Sequence, residues 1–213
     1  MKSSFFKFSV RDITEIAVMC ALAIVLDRFV KIPIGATGGS FNIAAVPLFV
    51  IAFRHGWFKG LIGGGVVFGI TTCLLDAYGF QFFVFDYFVA FGSIAIAGLF
   101  GPMIFKNFNK KSAINKVYAA LFIILVTAIF CVIRTLSASM DSMIFYGYTF
   151  GASVAYNIGY VGPSAGIVAA ILILLLPVFK SINQVYPTVF LKDVIDDEDE
   201  NEEEVEEEKE ENE

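Results

Sequence analysis

The sequence predicts an all-α membrane protein, a bundle of six transmembrane helices with both termini cytoplasmic. Three observations carry that reading. Hydrophobic residues make up 57% of the chain and charged residues 17%. The apolar residues gather into runs close to the roughly 20 needed for a helix to cross a bilayer. With the N-terminus placed inside, the connections hold ten Lys or Arg on the inner side and three on the outer, the asymmetry that orients membrane helices. The net charge of −6 conceals a division. Residues 1–192 carry 14 Lys/Arg and 6 Asp/Glu, whereas residues 193–213 carry 1 Lys and 15 Asp/Glu. The body is therefore basic and the acidity belongs to a tail.

Six spans use most of the 213 residues and leave no room for a soluble catalytic domain. Cys20, Cys73 and Cys131 are scattered through apolar runs. Without a CxxC or a Cys/His cluster they point to neither metal nor disulfide chemistry, and they read as small buried hydrophobes. The first apolar run leads into Asp27 and Arg28 rather than a small-residue cleavage site, so it reads as a retained helix.

Residues 1–12, with Lys2, Lys7 and Arg11, form a cytoplasmic lead. Helix 1 spans about 13–29. The connector KIPIGATGGSFN (31–42) has too many Gly and Pro residues for regular helix. Helix 2, about 41–53, is short for a span and contains Pro47. A basic turn, Arg54 to Lys59, follows and is expected to meet lipid headgroups or partner subunits. Its His55 is the sole histidine and lacks the neighbours of a metal site. Helix 3 covers about 60–75 and opens on Gly60, Gly63, Gly64 and Gly65. Helix 4 covers 82–101. Lys106 to Lys116 is a basic loop, and helix 5 spans about 117–133. Residues 134–151 read as a mixed polar and aromatic connector. Helix 6 covers about 152–176, interrupted at Gly162-Pro163, and Pro177 and Lys180 mark its exit. The substrate-handling unit is thus 13–180. Residues 181–213 are a cytoplasmic tail, acidic and disordered from about 193.

Helix 4 holds one acid, Asp86, beside Tyr87. A carboxylate in hydrocarbon costs roughly 2.5–3.5 kcal/mol on insertion scales, so such acids face a cavity or a partner. Gly92, Ala95, Ala97 and Gly98 let neighbouring helices approach closely. Two readings are open: an acid at the mouth of a pocket for something polar or cationic, and an interfacial acid that reaches water. The charge asymmetry puts Asp86 and the connectors 31–42 and 134–151 on one extracytoplasmic face.

The stretches GGSFNIAAVPLFVIAFRHGWFKG (38–60), FDYFVAFGSIAIAGLFG (85–101) and AYNIGYVGP (155–163) resemble the S component of an energy-coupling factor (ECF) vitamin transporter of the thiamine-specific type. The resemblance covers about 13–180. It implies a non-enzymatic subunit of the cell membrane that binds its vitamin, thiamine or a close relative, in an outer pocket. A membrane-embedded coupling subunit and two ATPases then drive import, so ATP is used by the partners and no cofactor or nucleic acid is expected. By the same resemblance Asp86 and Tyr87 match the family's acid-Tyr pair, and Asn157 matches an Asn fitted to the aminopyrimidine edge. Tyr146 falls where the family often has Trp, and Tyr160 and Asn42 complete the candidate set. Ala17 and Ala21 supply the AxxxA spacing through which helix 1 docks on the coupling subunit. Ordinary packing accounts for the same spacing, an interfacial belt for Tyr146 and a helix–helix hydrogen bond for Asn157.

Departures are also plain. Leu136-Ser137-Ala138-Ser139 lacks the family's His, Gly38 and Gly39 replace an aromatic, and Ala152 replaces a Tyr. Either affinity is lower, or Phe41, Phe82 and Tyr160 substitute, or the ligand is another vitamin such as a thiamine precursor or riboflavin. An intramembrane enzyme would need paired ionisable groups at depth, which the expected spans lack. A stand-alone secondary carrier would show internal repeats, and none is evident.

Overall fold

The computed structural model describes residues 6–34, 39–188 and 190–192. The first residues of the lead, four residues of the first connector and the acidic stretch from 193 lie outside them.

Helix α1 (Val10–Phe29) starts at a capping box, in which Ser9 and Asp12 each accept from the other's backbone N–H. Asp12, Ile16, Cys20, Ala23 and Asp27 are buried, the three- and four-residue spacing of a single helix face. Ala17 and Ala21 are exposed beside Val18, Leu22 and Val25. Strands β1 (Ile32–Pro33) and β2 (Ser40–Phe41) pair antiparallel, Ile32 opposite Phe41. The connector is thus a small ribbon. Helix α2 (Ala45–His55) has every residue buried, and its Pro47 sits in the first turn, where no helical N–H is lost. Eleven residues rise only about 17 Å, so α2 is an internal post around which the other helices stand.

Helices α3 (Trp57–Asp76) and α4 (Phe80–Leu99) each contain a wide π segment, Ile62–Phe68 and Phe83–Val89. They approach closely at the glycine run. A Cβ on Gly64 would lie 2.7 Å from the Phe91 carbonyl oxygen, a contact that only glycine avoids. Helix α5 (Gly101–Asn109) carries Lys106, so the basic loop shrinks to 110–112. Helices α6 (Ala113–Tyr146) and α7 (Phe150–Val185) pack along one another. Among the described residues, four helices are long and apolar enough to cross a membrane: α3, α4, α6 and α7.

Two expectations need correction here. Residues 134–146 are not a connector but the last turns of α6. Their polar residues Thr135, Ser137, Ser139 and Asp141 are buried, while Leu136, Met140, Met143 and Ile144 face outward. Hydrophobic outside and polar inside is helix patterning for lipid around a polar interior. Likewise α7 is not interrupted at Gly162-Pro163 and does not end at Pro177; it runs through both prolines. Each proline removes one hydrogen bond, but breaking the helix would leave several groups unpaired where no water reaches.

The basic turn is corrected as well. Arg54, His55 and Lys59 are each 2% exposed and do not face headgroups. Arg54 binds Glu15, Asn183 and the Tyr186 carbonyl. Lys59 Nζ is 2.8 Å from Asp12, and His55 lies between Asp12 and Glu15, 3.3 Å from each. Thr188 donates to the Arg54 carbonyl, and Leu191 is buried. This network ties α1, α2, α3 and the chain after α7 into one base.

Candidate functional site

At the end of the bundle away from that base lies a cavity of about 260 Å³. The end of α1, the ribbon, the end of α3, the start of α4, the last turns of α6 and the start of α7 enclose it. Asp86, Tyr87, Asn157, Tyr146, Tyr160 and Asn42 all line it, so residues spread over 119 positions of sequence meet in one place.

The ribbon closes one wall through Gly39. Its φ of +88° and the 2.8 Å separation between an added Cβ and the Tyr160 ring make any larger residue there strained. Asn42 donates its backbone N–H to Ser164 Oγ and its carboxamide to Asp27 Oδ1 at 3.4 Å. Its own Oδ1 is buried and accepts nothing. On α7, one turn of helix places Asn157 beside Tyr160, whose hydroxyl donates to Asn157 Oδ1 at 2.7 Å. Asn157 Nδ2 donates to the Ser153 carbonyl at 2.9 Å and, across to α6, to Ser139 and Ser142. The carboxamide is therefore both a helix–helix link and a fixed polar edge of the cavity.

Tyr87 is buried, and its hydroxyl donates to Asp76 Oδ2 at 2.8 Å. Asp76 is held by Arg28 at 2.8 Å and Lys31 at 3.6 Å, and both cations also pair with Asp27. Tyr146 is 48% exposed, at the rim, and stacks on Phe82 with ring centroids 5.9 Å apart. Phe82 and Tyr160 are aromatic residues of the cavity lining.

Five charged residues of the cavity escape sequence reasoning as site residues: Asp27, Lys31, Asp76, Arg134 and Asp141. Arg134 lies over the rings of Phe91 and Phe130, at 4.5 and 5.8 Å. Asp141 is 1% exposed and lines the same cavity as Asp86. Arg134 and Asp141 are seven residues apart, two turns on one helix face. Extending α6 past 133 in the sequence would have brought them together. Among the described residues no group of three His, Cys, Asp or Glu side chains is placed to hold a metal ion. The arrangement offers aromatic faces, a fixed carboxamide and four carboxylates, which suits a small, flat, cationic ligand.

Comparison with known proteins agrees. The model of a family described as thiamine transporter protein matches residues 13–184. The thiamine transporter ThiT of Bacillus subtilis (strain 168) is 32% identical over 182 residues, 76% of this chain and 88% of that protein. The solved structure of ThiT from Listeria monocytogenes superposes with a TM-score of 0.68 at 22% identity. That match covers 79% of this chain and 94% of the other, and it shows a shared fold.

Proposed function

The chain belongs to the thiamine transporter protein family, a family of multi-pass membrane transporters and not of enzymes, and we propose that it is the thiamine-binding S component of an ECF importer. Thiamine, or a close relative, enters the cavity from the extracytoplasmic side. In this topology α1 and, together with the chain that leads into it from β2, α2 join the four long helices as the fifth and sixth crossings, and both termini are cytoplasmic. Residues 1–12 form the lead, 13–180 the substrate-binding domain and 181–213 the cytoplasmic tail.

The observation that carries the reading is the convergence of Asp86, Tyr87, Asn157, Tyr146, Tyr160 and Asn42 on one cavity whose lining is rich in acids. A thiazolium cation fits beside the carboxylates, since a charge-assisted contact is about twice as strong as a neutral one. The aminopyrimidine's amino group needs an acceptor, and Asn42 Oδ1, buried without a donor, is placed to supply one. Tyr146 and Phe82 supply aromatic faces for stacking. Nothing in the cavity pairs a nucleophile with a base in a way that chemistry on the ligand would require, and binding is what it supports.

Release into the cell falls to the partners. The exposed Ala17 and Ala21 give α1 a smooth stripe on which a coupling subunit can seat. Reconstitution in liposomes tests the proposal. The chain alone is expected to bind thiamine without accumulating it, and ATP-driven accumulation is expected only with the coupling subunit and ATPases. Ala17→Trp or Ala21→Trp should abolish accumulation and leave binding intact. Accumulation by the chain alone down an ion gradient would make it a stand-alone carrier instead.

A further inference from the structure

Residues 1–192 contain six acids, and the fold has placed all of them. Asp12 and Glu15 lie in the base, and Asp27, Asp76, Asp86 and Asp141 line the cavity. The same residues contain 14 Lys or Arg, and the surplus of cations gathers at one end. Lys7 of the lead, Arg11 at the start of α1, Lys106 on α5, Lys110 and Lys111 in the loop after it and Lys116 on α6 are all exposed. Among the described residues none of these six forms an ion pair.

Contacts gather these cations around the base. Phe6 and Phe8, on either side of Lys7, meet the Phe58 ring at 4.7 and 6.3 Å between centroids. Arg11 donates to the Tyr186 carbonyl at 2.8 Å, the same carbonyl that Arg54 binds. Lys180, near the end of α7, donates to the Asn109 carbonyl at 3.4 Å. The end of α5 and the 110–112 loop therefore stand beside the last turns of α7, whose Asn183 accepts from Arg54. The six cations form a collar around the base, at the end of the bundle opposite the cavity.

The chain leaves the bundle at that collar. After α7, Thr188 donates to the Arg54 carbonyl, the Phe190 ring lies against Gly56, and Leu191 is buried in the main core. Lys192 is exposed. Residues 193–213 start from this fixed point and hold 15 acids and one Lys, the only acids of the chain beyond the six already placed. These 21 residues can reach at most about 70 Å, several times the roughly 8–10 Å between packed helices. Every cation of the collar is within their range.

We propose that residues 193–213 dock on the basic collar of their own chain. A single exposed ion pair contributes little. Here a run of carboxylates faces a ring of cations, and the tether at Leu191 keeps the local concentration high. The docked segment neutralises this end of the bundle, so anionic phospholipid headgroups have to displace it to reach the collar. The docking is independent of what the cavity binds.

Two measurements on the full-length chain, one copy per phosphatidylcholine nanodisc, test this. Phosphatidylcholine carries no net charge and does not compete. A carbodiimide joins a carboxylate to a lysine amine only where the two touch, and mass spectrometry locates the join. Joins from residues 193–213 to Lys7, Lys106, Lys110, Lys111 or Lys116 are expected. They should disappear at roughly 1 M salt, where the screening length is about 3 Å. Mixing isotope-labelled with unlabelled chains separates joins within a chain from joins between chains. No join to the collar, joins confined to Lys192 and Lys209, or joins only between chains overturn the proposal.

The second measurement reads the collar itself. Lysines are acetylated in the unaltered chain and in a variant carrying Glu202→Gln, Glu203→Gln, Glu204→Gln, Glu206→Gln, Glu207→Gln and Glu208→Gln. Lys110 and Lys111 are expected to react several-fold faster in the variant. Lys59, buried against Asp12, should react slowly in both and reports an intact base. Equal rates at Lys110 and Lys111 in the two chains overturn the proposal. Anionic phosphatidylglycerol in the disc should lower the joins to the collar as headgroups displace the segment. A collar covered in phosphatidylglycerol but not in phosphatidylcholine would make headgroups its occupant and overturn the docking.

Discussion

Residues 1–192 contain six acids, and the two ends of the bundle use them differently. At the base, Asp12 and Glu15 are matched by Lys59, Arg54 and His55, with Asn183 and backbone carbonyls completing the set. These groups face one another across four elements and lock them together, although Asn183 Nδ2 and the two His55 ring nitrogens make no hydrogen bond of their own. At the cavity end, Asp27, Asp76, Asp86 and Asp141 surround open space, and Asp141 and Asn42 keep acceptor oxygens without a donor. Both ends are polar and buried within a membrane protein. Charged groups that face one another across elements build architecture at the base, whereas charged groups that face open space mark where something else can bind.

That contrast can be broken from either end. The largest effect is expected at the base. Arg54→Ala would leave Glu15 without its main partner and cost about 3–5 kcal/mol, read as a fall in thermal stability and folded yield. The fraction that folds should bind thiamine unchanged. At the cavity end, Asn157→Leu removes the fixed edge that Tyr160, Ser139 and Ser142 hold, and thiamine affinity should fall about a hundredfold, measured by equilibrium binding. Gly39→Ala forces a positive φ and a clash with the Tyr160 ring. It should cost about 1–3 kcal/mol, seen in binding and in protease access to the ribbon. Tyr146→Ala is the mildest. Loss of one rim ring should weaken thiamine by about 0.5–2 kcal/mol with no change in unfolding temperature.

How much of this was legible beforehand follows the same division. Asp86 stood out with Tyr87 beside it because an acid in an apolar run has few other uses, Asn157 was legible only through the family resemblance, and the close approach at Gly92 and Gly98 was implied by the small residues of helix 4. The base was not legible. Arg54 and Lys59 looked like surface charges, and nothing local reveals that α1 brings Asp12 and Glu15 to cover them. Asp141 and Arg134 were missed for a related reason. Their stretch alternates polar and apolar residues in a way that suggests a connector, until the polar face is recognised as pointing inward to a cavity. Pairing across the chain, and the direction of a helix face in lipid, are tertiary facts.

One titration tests the central claim most directly. Thiamine is added to the purified chain, to Asp86→Asn and to Asn183→Ala, all three shown to be folded. The expected result is tight binding by the unaltered chain, binding weakened by more than about tenfold, or 1.4 kcal/mol, in Asp86→Asn, and full affinity in Asn183→Ala. No binding by the folded unaltered chain, or an equal loss in both variants, would contradict the division of the molecule into a structural base and a thiamine site.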